Sequence, residues 1–230
     1  MKALVNVARY HLVDRTAYII WPWGLLAFVF AVDLVIAGVI PKNPDESVPV
    51  GGLASFYIMI LVLGLLSTTR SLAFGLSLGL SRRTYFLGTA GLAVAVGAVY
   101  GLALTILQVI ERSTGGWGIR LHFFRVGYLL PGPWYLTWLT SFVGLTLVFV
   151  YGSWFGLIFR RWNITGLLAF IIGQITVLLA GALMATSVDA WTSIGHFFTS
   201  LSAAGLTGVL AAITAALFAG ALATMRRVTV

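Results

Sequence analysis

The sequence contains no cysteine, and this absence excludes disulfide bonds, thiolate zinc sites and cysteine nucleophiles together. Charged residues are also scarce: they make up 9% of the 230 positions, against roughly a quarter in an ordinary soluble domain. Hydrophobic residues account for 60%, more than a soluble fold of this length can bury. The composition therefore predicts an integral membrane protein with little room for a separate aqueous domain.

A phosphate-binding loop of the form G-x-x-x-x-G-K-[ST] is missing as well, so the chain is not expected to bind ATP itself in that manner. Residues 75–79 spell G-x-S-x-G, but a nucleophile elbow requires a strand before the serine, and no strand pattern precedes it here. The three histidines fall on different predicted sides of the membrane. We predict no catalytic residues and no metal site, which leaves a membrane-embedded enzyme as the least favoured class.

Six apolar runs are long enough to cross a bilayer core of about 30 Å, which takes roughly 20 helical residues. Pro41, Pro44 and Pro49 end the first run, because proline cannot continue a helix. The sequence thus predicts an all-α polytopic protein that forms a single transmembrane domain over residues 1–230. The predicted spans cover about 19–40, 51–71, 86–110, 134–159, 164–187 and 198–224.

Orientation follows from the basic residues, which are retained in cytoplasmic loops. With the N-terminus inside, ten of the 14 lysines and arginines lie on the cytoplasmic side, and only Lys42, Arg112, Arg120 and Arg125 lie outside. Both termini are therefore expected in the cytoplasm, with the chain in the bacterial inner membrane and the lipid bilayer as its surroundings. The net charge of +8 comes from residues that separate apolar runs. A nucleic-acid partner, which needs clustered basic residues, is not expected.

Two further segments are predicted to lie at the membrane surface. Residues 1–18 place Lys2, Asn6 and Arg9 on one side of a helix, which predicts an amphipathic interfacial helix; the alternative is a charged flank that only fixes topology. Residues 111–133 are too apolar for a freely solvated loop, and we expect them to lie against the membrane or a partner.

Small and polar residues inside the runs make specific predictions. The pairs Gly97 with Gly101 and Gly152 with Gly156 are spaced for close helix packing. Asp33 is the only acid inside a predicted span, and such residues are costly enough to mark a translocation path, although Asp33 is also close enough to one end to reach water. Gln174 lies in the middle of the fifth span, where it either contributes to that path or hydrogen-bonds a neighbouring helix.

The stretch FGLSLGLSRRTYFLG at residues 74–88 resembles the cytoplasmic turn after the second span of ABC-2 type permeases, the membrane subunits of type V ABC exporters. In that family a run of small residues precedes Gly-x-Ser-Arg-Arg, which is followed by an aromatic residue and Gly-Thr. The positions that match this pattern are Gly79, Ser81, Arg82, Arg83, Tyr85, Phe86, Gly88 and Thr89. The interfacial helix, the six spans and the basic C-terminus extend the resemblance over nearly the whole chain.

The resemblance implies a permease subunit that exports a hydrophobic or amphipathic substrate as part of a homo- or heterodimer. It also implies two docked ABC ATPase subunits, which would bind ATP and Mg. The surface that contacts the ATPase would comprise Arg9 in the interfacial helix and Leu80, Ser81, Arg82, Arg83, Thr84 and Tyr85 after the second span. The family brings spans one and five together at the dimer axis, which would place Asp33 and Gln174 near the pathway.

One departure from the family pattern concerns residues 189–199, which are short where family members carry re-entrant outer helices. A self-sufficient channel or secondary transporter without an ATPase remains the alternative. Such proteins usually show several buried charges, broken helices or inverted repeats, and these signals are weak in this sequence.

Overall fold

The computed structural model describes residues 16–39, 48–49, 51–69, 81–124 and 133–225. Structural statements below refer to these residues. Several sequence predictions therefore lie outside the described part of the chain: Arg9 and most of the interfacial helix, the G-x-S-x-G motif at 75–79, Leu80, and the C-terminal arginines.

The described residues are almost entirely helical, which confirms the predicted fold class at that level. The elements are a π-helical turn Thr16–Ile20, α1 Trp21–Val39, α2 Leu53–Thr69, α3 Arg82–Ser113, a second π-helical turn Gly116–Arg120, α4 Trp134–Ser187, α5 Trp191–Ser200 and α6 Ala203–Met225, with a parallel pair of two-residue strands, β1 Val48–Pro49 and β2 Leu121–His122. Four apolar helical segments are long enough to cross a membrane: Thr16–Val39, Arg82–Ser113, Trp134–Ser187 and Ala203–Met225. The apolar α2 is shorter, at 17 residues.

Helix α4 is a helical hairpin that reverses direction at Asn163, whose backbone is non-helical with φ 55° and ψ −155°. Tyr151 and Gln174 lie 23 positions apart, which would separate them by about 34 Å along a straight helix. Instead the Tyr151 hydroxyl donates to Gln174 Oε1 at 2.7 Å, and the rings of Trp154 and Phe170 are 5.1 Å apart. The chain therefore runs in one direction through residues 134–162 and in the opposite direction through 164–187.

The first arm of the hairpin, residues 134–162, contacts α2 backbone to backbone. A Cβ atom added to Gly64 of α2 would collide with the carbonyl of Phe149, and one added to Gly152 would collide with the carbonyl of Leu61. Gly156 lies in the same contact between the two helices, called the glycine seam below. A Cβ atom added to Gly156 would also collide with α2. The predicted close packing at Gly152 and Gly156 is confirmed, and α2 and this arm run in the same direction.

Helix α3 packs antiparallel to the same arm through the other predicted glycine pair. The missing side chains of Gly97 and Gly101 leave the space that Phe142 occupies, with its backbone nitrogen 2.9 Å from where a Gly101 Cβ would be. The indole of Trp138 donates to the carbonyl of Ala98 at 3.1 Å. The close packing predicted for this glycine pair is likewise confirmed.

The start of α1 lies beside the C-terminal half of α3 and not beside the first turns of α3. The ring of Trp23 lies 5.3 Å from that of Tyr100 and 5.4 Å from that of Phe56, and the Tyr100 hydroxyl donates to the carbonyl of Tyr18. Tyr100 follows Arg82 by 18 positions, about 27 Å along α3. The first turns of α3 therefore extend well beyond the start of α1.

The second arm of the hairpin and α5 form the most exposed surface of the described chain. No residue of 164–187 or of α5 is buried, and Val177, Leu178 and Leu183 are each more than 70% exposed. So large an apolar surface requires an apolar environment. Lipid chains or a neighbouring subunit in the membrane would supply it.

Two matched substitutions in α4 test the glycine seam. Gly152→Ala places a methyl group against the carbonyl of Leu61, and we expect this overpacking to lower the free energy of unfolding by about 1–3 kcal/mol. Gly173→Ala adds the same atom where no other atom lies within 4 Å, so the better helix propensity of alanine should leave stability equal or raised by up to about 1 kcal/mol. Thermal unfolding in one detergent compares the two. Equal melting temperatures would contradict the seam.

Candidate functional site

Four arginines gather where α3 begins and the first arm of α4 ends; we call this the arginine end (Arg82, Arg83, Arg160 and Arg161). Helix α3 starts here because Ser81 caps it: Ser81 Oγ accepts a hydrogen bond from the Thr84 backbone nitrogen at 3.1 Å. The Ser81 and Thr84 hydroxyl oxygens are also 2.8 Å apart. The cap makes α3 start four residues before the predicted boundary at 86.

The side chains of Arg82 and Arg83 are exposed in the first turn of α3. Cations at this position oppose the helix dipole, whose N-terminal end is itself positive. Helix stability therefore does not account for the two arginines. Their charges and the dipole add up to a positive surface suited to an anionic group.

Tyr85, which the sequence predicted on the docking surface, is buried among the described residues. Its side chain is 1% exposed and packs in a cluster with Phe86, Leu157 and Met225. Its hydroxyl donates to the carbonyl of Ser67, near the end of α2, at 2.5 Å. Tyr85 therefore ties the start of α3 to the end of α2, next to the exposed arginines.

The other two arginines differ in environment. Arg161 lies over the ring of Trp162, 4.2 Å from its centroid, in a cation–π contact. Arg160 follows Gly156 by one turn, and its Nε and Nη2 atoms are buried without a hydrogen-bond acceptor among the described residues. The arginine end thus contains both exposed and partly buried cationic groups.

At the opposite end of the bundle, a loop formed by residues 114–124 folds back onto the helices; we call this the loop end. The side chain of Glu111 holds it in place with one oxygen, Oε2. This atom accepts from the indole of Trp117 at 3.1 Å and from the backbone nitrogens of Phe123 and Phe124 at 3.0 and 2.9 Å. Sequence reasoning missed this role. The available signal was a lone acid at the end of a span, followed by a glycine-rich turn and two aromatic residues.

Aromatic rings join this loop to α1. Phe30 of α1 lies 5.0 Å from Trp117, 5.1 Å from Phe123 and 5.7 Å from Phe124, measured between ring centroids. These four residues are named the aromatic cluster below. For residues 114–124, the prediction of a loop against the membrane or a partner is corrected, because its apolar side chains pack against the protein's own helices.

Asp33 lies beside this cluster, one turn after Phe30 on α1. A Cβ atom on Gly52 would touch both Asp33 Oδ2 and the ring of Phe123, which places these two groups next to one another. Asp33 Oδ2 is buried and has no hydrogen-bond partner in the described chain. The same holds for the Nε2 atom of Gln108, a residue 2% exposed on α3.

Gln174, the other residue predicted for a translocation path, has a different environment. It is half-buried beside Tyr151 in an open groove between the two arms of α4. Within one chain the structure does not bring Asp33 and Gln174 together, and the hydrogen bond from Tyr151 identifies Gln174 as a contact between the arms.

Comparisons with protein families, with curated proteins and with solved structures give no match to this chain. Among the described residues, no three histidine, aspartate or glutamate side chains are grouped closely enough to hold a metal ion.

The role of Glu111 is tested by removing its carboxylate. Glu111→Ala leaves three donors without their acceptor, at a cost of about 1–3 kcal/mol for each one that stays buried, so we expect the backbone amides of Phe123 and Phe124 to exchange with deuterium much faster. Glu111→Gln retains a neutral acceptor oxygen and should give an intermediate rate. Asp189→Ala removes an exposed acid and serves as the control. Unchanged exchange in Glu111→Ala would show that the loop is held by packing alone.

Proposed function

We propose that this chain is the permease subunit of an ATP-driven exporter of the ABC-2 type, which moves a hydrophobic or amphipathic substrate across the plasma membrane. The observation that carries the proposal is the serine-capped start of α3 with exposed Arg82 and Arg83. It falls within the Gly-x-Ser-Arg-Arg turn by which the sequence resembles that family.

Six transmembrane spans are part of the proposal. The reversal at Asn163 divides α4 into two apolar arms, and α2 packs lengthwise against the first of them although it has only 17 residues. Together with α1, α3 and α6 these make six. The distribution of basic residues favours cytoplasmic placement of both termini and of the arginine end.

Coupling to an ATPase would use the link between α2 and α3. An acidic surface on the partner would pair with the guanidiniums of Arg82 and Arg83, which is the kind of contact that dominates interface energetics. Because Tyr85 ties this turn to Ser67, a displacement of the turn would move both helices together. Arg9 and Leu80 would complete the docking surface.

The partner ATPase would bind ATP and Mg, and a second permease copy, identical or different, would complete the membrane part. The exposed apolar side chains of the second arm of α4 are the surface on which that copy or lipid would pack. Short helix α5 occupies the region between the fifth and sixth spans, where the sequence predicted a departure from the family.

A self-sufficient channel or secondary transporter is the second candidate, and the feature that favours it is the buried Oδ2 of Asp33, which has no partner among the described residues. Such transporters bind their substrates near the membrane midplane, at breaks in their helices. The break in α4 lies at the arginine end instead, two positions after Arg161. This position suits a loop between two spans better than a midplane site.

Because the chain has no native cysteine, single cysteines can test the topology directly. We expect a membrane-impermeant maleimide added to intact cells to label Ser113→Cys and Ser187→Cys but not Arg83→Cys or Thr165→Cys, all four being exposed positions. Permeabilised cells should label all four, which controls for reactivity. External labelling of Arg83→Cys would overturn the proposed orientation.

Docking is tested by a pair of double variants that remove equal charge. Arg82→Ala with Arg83→Ala should lower ATPase binding at least about tenfold, since two charged interface contacts are lost, while alanine maintains the helix. Arg226→Ala with Arg227→Ala should change binding little. Tyr85→Phe should bind the ATPase normally but transport less per ATP hydrolysed, because only the bond to Ser67 is lost. Co-purification and ATP turnover are the measurements. Equal effects of the two double variants would contradict the docking surface.

A further inference from the structure

We propose that the loop end of the bundle is a binding site for a lipophilic cation, with Asp33 as its counter-ion and the aromatic cluster as its wall. This inference rests on the proposed function, since it names the chemical class of an exported substrate.

The carboxylate of Asp33 faces the protein rather than lipid. Leu26 and Ala37 are buried at 3% and 1% exposure, and Asp33 follows Leu26 by seven positions and precedes Ala37 by four. These spacings place all three on one face of a helix. Phe30, which contacts the loop, is three positions before Asp33 and adjoins the same face.

The electrostatics of the site call for a positive group. Oδ2 of Asp33 has no donor within the described residues, and an ionised carboxylate away from water is costly unless it is paired. Gln108 Nε2 is a buried donor that also has no partner among the described residues, and it requires an acceptor rather than a positive group. Gln108 precedes Glu111 by three positions on α3 and so points towards α1 and the loop.

The aromatic cluster adds a second interaction for the same kind of ligand. The ring of Phe123 lies beside Asp33 Oδ2, and Phe30 and Trp117 stand within ring-contact distance of one another. Aromatic faces attract cations and favour quaternary ammonium groups in particular. A carboxylate next to several rings therefore selects an organic cation with apolar substituents, and it disfavours an anion of the same size.

Gly52 supplies the space for this arrangement. Any Cβ atom at position 52 would collide with Asp33 Oδ2, with the ring of Phe123 and with Val29. A side chain at position 52 would therefore displace the carboxylate, the ring or both from their present positions. The substitution Gly52→Ala alters the geometry of the site without changing its charge.

The test uses the purified full chain in detergent, without an ATPase, and two probes of similar size and shape: tetraphenylphosphonium and tetraphenylborate. Tryptophan fluorescence, to which Trp117 contributes, and equilibrium dialysis report binding. We expect saturable binding of the cation and only non-saturable partitioning of the anion. Asp33→Asn and Gly52→Ala should each weaken cation binding at least tenfold. Gln174→Leu, away from the loop end, should bind it as the parent chain does.

Removing an unpaired carboxylate should not unfold the protein, so Asp33→Asn is expected to retain the parent melting temperature; if it did not, Gly52→Ala would still test the site. The proposal is overturned if both variants bind the cation with the parent dissociation constant, or if the borate binds as tightly as the phosphonium. Binding is measured without transport. Failure of this site would thus leave the ATPase docking tests unaffected, and failure of docking would leave this result standing.

Discussion

The rest of the bundle depends on the direct contact between the backbones of α2 and the first arm of α4. Helices in a bilayer gain little from burying apolar surface against one another, because lipid chains are equally apolar. Their association must come from close van der Waals contact and hydrogen bonds. Gly64 and Gly152 allow that contact by leaving carbonyl groups of the opposite helix where side chains would otherwise lie. The same arm then carries α3 through Phe142 on another side.

Hydroxyl groups reinforce this central arm along its length. Thr68 Oγ1 donates to the carbonyl of Ser153 at 3.1 Å, and the hydroxyls of Thr140 and Thr207 are 2.6 Å apart, linking the arm to α6. Such groups satisfy one another inside the bundle, whereas Asp33, whose Oδ2 has no partner among the described residues, lies at the loop end. The hydrogen bonds inside the described bundle therefore join uncharged groups. The groups that can attract a charged ligand lie at the two ends of the bundle.

Hydropathy located the long helices because a span needs a long apolar run, but it did not separate the short α5 from α6. The sequence also contains a pattern that predicts the burial of Tyr85. Four buried residues of α3 recur at helical spacing: Tyr85, Thr89, Leu92 and Val96. A helix expected to begin at 86 leaves Tyr85 out of this pattern. Recognising Ser81 as the N-cap would have placed the start of α3 at Arg82. The attachment of residues 114–124 was not predictable, since Glu111 bonds groups up to 13 positions away, and no local periodicity encodes such a contact.

Helix α3 physically connects the two candidate sites. Arg82 lies in its first turn, and Glu111 lies 29 positions later, about 43 Å along a helix that contains no proline. Glu111 binds the backbone of Phe123, and the Phe123 ring adjoins Asp33. A rigid-body shift of α3, produced at its arginine end, would therefore move one wall of the cation site while Asp33 stays with α1. Coupling of this kind needs two arrangements of α3 relative to α1. Such a shift would disturb the contact between Trp23 and Tyr100, because it joins α1 directly to the moving helix.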